Sequence, residues 1–95
     1  MPSYRTQVKI IADVLRTAQD YSEDDAGVGI TMLLRKANLS YGRLLKIVSS
    51  LVQSGLIEEV IVEKSYKYKI SSKGIEFLQA FGRFEEFANT FGLSL

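Results

Sequence analysis

Apolar residues recur along this chain in blocks with distinct periods, and the periods predict its elements. Over residues 4 to 19, Val8, Ile11, Ala12, Leu15 and Ala18 fall at helical spacing, with Lys9, Asp13 and Arg16 turned outward and Lys9 placed four residues before Asp13. A loop follows from Tyr21 to Gly29, polar enough to be a connector with room for a brief extended piece. Thr31 can cap a short helix ending at Ala37, on which Leu33, Leu34 and Ala37 lie together and Arg35 and Lys36 point away. Asn38-Leu39-Ser40 interrupts it: Asn tolerates the left-handed conformation that ends a helix, Leu39 can plug into the core, and Ser40 is a good N-cap.

A third helix starts at Tyr41. At 100° per residue Tyr41, Leu44, Leu45, Val48, Leu51 and Val52 share one side, and Gly42, Arg43, Lys46, Ser50, Gln53 and Ser54 the other, with Gly55 placed to close the helix. Ile57 to Val62 is rich in β-branched residues, and Tyr66 to Ile70 alternates with period two. Separated by Glu63, Lys64 and Ser65, these predict a hairpin with Tyr68 and Ile70 inward and Lys67 and Lys69 outward. Ser71 or Ser72 caps a last helix carrying Ile75 and Leu78. The fold class is mainly α with a small β-hairpin (α+β), in 95 residues that leave room for one core.

Composition narrows the chemistry. There is no Cys and no His. Disulfides, thiolate or imidazole metal sites, and His-activated nucleophiles are therefore excluded, and no acid, base and nucleophile converge, so the chain reads as a non-enzyme without metal or other cofactor. The run Glu23-Asp24-Asp25 reads as a solvated loop, since three adjacent carboxylates cannot all face one ion. The N-terminus lacks the order of a signal peptide and no apolar run is long enough for a bilayer, which leads us to expect a cytoplasmic protein with no membrane partner. No small-molecule ligand is evident.

Charge adds a second pattern. The totals, 12 Lys and Arg against 11 Asp and Glu, nearly cancel, yet the signs are segregated. Residues 26 to 57 hold Arg35, Lys36, Arg43 and Lys46 and no acid; residues 64 to 73 hold Lys64, Lys67, Lys69 and Lys73 and no acid. Two helices joined by a three-residue turn, the second capped and basic on its free face, describe a helix-turn-helix, and the hairpin after it makes a wing. The expected contacts to double-stranded DNA are Arg35, Lys36, Ser40, Tyr41, Gly42, Arg43, Lys46 and Ser50 on the helix-turn-helix, with Lys64 and Lys67 on the wing. Tyr41 is expected to pack with a polar tip, and Lys69 and Lys73 to be general surface charge. The rival reading is a winged helix used as a protein-interaction module, in which the hydrophobic C-terminal helix docks a partner and the charges only solubilise, with Ile47 beside the basic stripe slightly in its favour.

The segment Lys36-Ala37-Asn38-Leu39-Ser40-Tyr41, followed by a helix, then Gly55-Leu56-Ile57 and Tyr68-Lys69-Ile70-Ser71-Ser72-Lys73-Gly74, resembles the small archaeal winged-helix DNA-binding proteins that dimerise through a C-terminal helix. The resemblance covers about residues 7 to 80 and implies duplex DNA binding as a dimer, a role in transcription or chromatin organisation, and no enzymatic activity. It calls for a long C-terminal helix, whereas this chain stops about twenty residues after Gly74.

All five phenylalanines, Phe77, Phe81, Phe84, Phe87 and Phe91, lie within fifteen residues on an arc of the last helix, together with Ala80 and Ala88. Phe77 suits the monomer core, and Phe81 is open to the same reading because the hairpin and first helix end nearby. For Phe81, Phe84, Phe87, Ala88 and Phe91 the expectation is a homodimer interface, because so long an apolar row exceeds what a monomer leaves open. Gly82 allows a bend. The chain thus divides into a winged helix-turn-helix over residues 1–73 and a dimerisation helix over 74–95.

Overall fold

The computed structural model describes residues 6–22 and 26–93; the acidic triplet at 23–25 lies outside the described residues. The order is α1 (Gln7–Asp20), α2 (Ile30–Ala37), α3 (Tyr41–Gln53), β1 (Ile57–Val62), β2 (Ser65–Ile70) and α4 (Ser72–Thr90). Among the described residues, no helix is long and apolar enough to cross a membrane.

Three helix starts are fixed by hydroxyls. The side chains of Thr6, Ser40 and Ser71 accept the backbone N–H groups of Lys9, Arg43 and Gly74, opening α1, α3 and α4. The short α2 departs from expectation: Gly29 is its cap, without a side-chain bond, and Thr31 lies inside the helix. Asn38 ends α2 with φ 56° and ψ 48°, the left-handed conformation its side chain tolerates. At the end of α3 the N–H of Gly55 bonds the carbonyl of Val52 and that of Leu56 bonds Leu51, a Schellman closure around the positive φ of Gly55.

β1 and β2 pair antiparallel from Ile57↔Ile70 to Val62↔Ser65. Ser65 therefore belongs to the strand, and the turn is two residues, Glu63-Lys64, both at positive φ (50° and 66°). That is the signature of a type I′ turn, whose backbone twist matches a hairpin. The extended piece before α2 reduces to Val28, which exchanges backbone hydrogen bonds of 2.9 and 2.7 Å with Tyr68.

The core is built from one face of each element. Leu15, Leu33, Leu44, Ile57 and Val14 are fully enclosed, each worth about 1.5–3 kcal/mol of transfer free energy. Around them lie Ile10, Ala18, Val28, Ala37, Val48, Leu51 and Ile70. The start of α4 is pressed onto the hairpin. A Cβ on Gly74 would run into the carbonyl oxygen of Leu56 and the side chain of Ile70, so only glycine fits there. The Ser71 hydroxyl donates to the Gly55 carbonyl, and the Lys73 ammonium donates to the Ser54 carbonyl at 3.2 Å. Lys73 is thus committed to the C-terminus of α3 rather than being loose surface charge, as suits a cation at a helix end.

Lys9, Asp13 and Arg16 do not face solvent freely either. They turn toward α4, where Glu85 meets Lys9 Nζ at 3.2 Å and Arg16 Nη2 at 3.7 Å. The Lys9–Asp13 pair on α1 is present at 3.9 Å. Both cations also lie over the Phe81 ring, at 5.8 and 5.6 Å from its centroid. Phe81 and Ala88 are only 6% and 2% exposed, buried by their own chain and unavailable to a second copy, which corrects their assignment to a dimer interface. α4 runs through Gly82 as one helix.

Candidate nucleic-acid interface

The turn Asn38-Leu39-Ser40 sets the direction of α3. Leu39 is half-buried against the core, and the Ser40 hydroxyl accepts the Arg43 N–H at 3.3 Å, so the helix starts with its first turn at the surface. The rest follows from which side chains the core takes. Leu44, Ile47, Val48 and Leu51 are buried, and the diametrically opposite line is Gly42, Lys46, Ser49 and Gln53, all exposed.

This places α3 in a different rotation from the one the wheel predicts. Ile47, expected beside the basic stripe, is 5% exposed and belongs to the core, so it lends no support to a protein-interaction module. Tyr41 and Leu45, expected to pack inward, are 55% and 39% exposed. They form the flank of α3 that looks toward the wing, while exposed Arg43 and Ser50 form the other flank. The reason is the width of the partner surface: α2 and β1 pack against α3 over an arc that Ile47 enters and Tyr41 and Leu45 leave. A Cβ on Gly42 would meet open space, so nothing in the protein itself requires glycine at this outermost position.

The wing completes a groove. Between the start of α3, the start of α2 and the hairpin lies a concavity of about 480 Å³ lined by Thr31, Tyr41, Leu45, Lys64, Tyr66 and Lys67, with Tyr68 at its base. Lys64 sits at the tip of the turn, exposed, and Lys67 is half-buried on the strand. Tyr68 is buried, and its hydroxyl pKa is raised by that burial first and by the charge and hydrogen bond of Glu59 second. Glu59 itself lines a second concavity, with Leu45, Ser49 and Gln53 of α3.

Of the residues expected from sequence, the structure brings Tyr41, Lys64 and Lys67 around this groove and sets Gly42, Arg43, Lys46 and Ser50 on the exposed surface of α3 beside it. The Ser40 hydroxyl is committed to capping. Arg35 and Lys36 are exposed in the last turn of α2, where Lys36 lies 4.9 Å over the Tyr21 ring at the end of α1. Sequence reasoning missed Ser49 on the centre line and Thr31, Leu45 and Tyr66 in the groove. The spacing Leu44, Ile47, Val48, Leu51 carries the true core face, and weighting it over the wider set with Tyr41 and Leu45 would have placed Ser49 outward.

The hairpin, the three-residue turn and the exposed basic helix agree with what sequence comparison finds. Residues 4–89 match the model of the family described as winged helix-turn-helix, and the chain belongs to that family. Among curated proteins, none matches the sequence. Several solved structures share the fold at low identity. Sso10a-2, a DNA-binding protein from Sulfolobus solfataricus, superposes with a TM-score of 0.77 at 22% identity, over 92% of this chain and 85% of its own. TubR bound to 24 bp of tubC, from Bacillus thuringiensis serovar israelensis, gives 0.62 at 22% identity, over 85% and 98%. The F-93 protein of SSV1 gives 0.59 at 19% identity, over 92% and 97%.

Proposed function

We propose that this winged helix-turn-helix chain binds duplex DNA as a homodimer, in a regulatory or architectural role and without catalysis. The observation that carries the reading is the joint exposure of Arg43 and Lys46 on α3 and of Lys64 at the tip of the wing beside it. The major groove of B-DNA is about 12 Å wide and admits one α-helix. With α3 in it, Gly42, Lys46, Ser49 and Gln53 point at the base edges, Arg43 and Ser50 reach one strand's phosphates, and Lys64 and Lys67 follow the backbone. The DNA-binding description of Sso10a-2 and the DNA held by TubR support this reading.

The second copy is supported by α4. Phe84, Phe87, Phe91 and Leu93 are 56% to 65% exposed on the outer edge of the Phe arc. The rings of Phe87 and Phe91 already pack at 5.1 Å, so the surface is a continuous apolar strip of the kind a monomer seldom leaves open. In this reading residues 1–73 carry the DNA surface and 74–95 the assembly element.

Titrating a fluorescent random-sequence duplex at several salt concentrations tests both parts together with the mass in solution. About four phosphates neutralised per subunit give a slope of log K against log salt near −7 for the dimer. Absence of binding even at low salt overturns the DNA reading, and a monomeric mass at micromolar concentration overturns the assembly.

A further inference from the structure

Tyr41 and Leu45 break the polar surface of α3. Leu45 lies one turn after Tyr41, on the flank facing the wing, and Tyr66 stands across the groove from both. Directly opposite Tyr66 on the hairpin is Ile61, 67% exposed. Core packing does not account for these positions, because the core takes Leu44, Ile47, Val48 and Leu51 and leaves this strip in water.

Its surroundings say what covers it. Lys64 and Lys67 line the groove with the strip and exposed Lys46 follows Leu45 on α3, while of the nearby acids Glu59 lies on the far side of Leu45, in a second concavity with Ser49 and Gln53, and Glu63 sits at the turn. A second copy laid here would bring these cations together, whereas a polyanion complements them. A duplex offers one apolar group on its major-groove base edges, the 5-methyl of thymine. We infer that Leu45, flanked by Tyr41, is a specificity-determining residue that reads thymine methyl groups and gives the protein a preference for A·T pairs on the wing side of α3. The inference rests on the DNA reading above.

The test changes only that methyl. An A·T-rich duplex is compared with the same duplex containing uracil for thymine, at matched salt. The wild-type protein binds the thymine form about threefold to fourfold more tightly for each methyl contacted. Leu45→Ser lowers affinity for the thymine form to that for the uracil form and removes the ratio, whereas Lys46→Ala weakens both and keeps it. A second comparison needs no variant: 5-methylcytosine in place of cytosine in a G·C-rich duplex raises wild-type affinity. Equal wild-type affinity within both pairs of duplexes overturns the inference while leaving DNA binding intact, as does a Leu45→Ser protein that folds and retains the ratio. Failure to bind any of the duplexes at low salt overturns the DNA reading itself.

Discussion

Two regions of this small protein expose large apolar side chains, and they differ in what surrounds them. The outer edge of α4 shows Phe84, Phe87, Phe91 and Leu93 next to Arg83 and Glu86. The flank of α3 and the wing show Tyr41, Leu45, Ile61 and Tyr66 with Lys64 and Lys67 in the same groove, exposed Lys46 after Leu45 and Glu59 on Leu45's far side. Apolar area alone gives both the same reason to be covered. Charge separates them: mixed signs allow a copy of the same surface to approach, while a surplus of cations repels a copy and attracts nucleic acid. An exposed hydrophobic patch takes its partner from the charges on its rim.

The largest expected effect comes from breaking the first region. Phe84→Ser combined with Phe87→Ser should weaken self-association by about 4 kcal/mol, on the scale of interface hot spots, with little change in monomer melting because both rings are exposed. Sedimentation then reports a monomer, and the salt slope of DNA binding falls to about half. A dimer that survives the pair of substitutions would move the interface elsewhere.

The second region should respond differently. Arg43→Ala leaves the mass unchanged and reduces the magnitude of the slope by about 2 in the dimer, one phosphate contact per subunit, while Lys46→Ala also leaves the mass unchanged and weakens binding through the base edges. If either variant changes the mass instead, the division of labour between the two regions fails.

Between the regions lies the Glu85 contact, which ties α4 to α1 through Lys9 and Arg16. The groups are partly exposed, so Glu85→Gln should cost only about 1 kcal/mol of stability, an effect that shrinks at high salt. Thermal melts of the two proteins at low and high salt measure it.

The smallest effect is a pH dependence at the base of the groove. Burial raises the Tyr68 pKa above its ordinary value of 10.0, so the unfolded chain ionises first and stability is lost as pH rises through 10 toward the folded value. Tyr68→Phe removes this contribution, and its stability deficit relative to the wild type should narrow above pH 10 in alkaline denaturation.

Much of the fold was legible in the order of residues, for a physical reason that particular elements show. The caps at Ser40 and Ser71, the left-handed Asn38 and the closure at Gly55 are contacts among residues three to five apart, so local sequence contains both partners. The period-two stretch around Tyr68 likewise carried its own inward face. The turn was read one residue too long because Glu-Lys lacks the Asn-Gly chemistry that normally announces a type I′ turn. The cap of α2 was misread because Thr31 looked like one, while the chain enters the helix at Gly29.

What the sequence determined by itself was therefore the set of elements, the ends fixed by local caps, and the segregation of bases into the helix-turn-helix and the wing. What the tertiary structure decided was which edge of each apolar arc is covered. A helical wheel gives an arc, and neighbouring elements choose how much of it to bury. On α3 they took Ile47 and released Tyr41 and Leu45; on α4 they took Phe81 and Ala88 and released Phe84, Phe87 and Phe91. The same choice drew Lys9 and Arg16 onto Glu85 from a helix fifty residues and more away in the chain, a pairing no local pattern encodes.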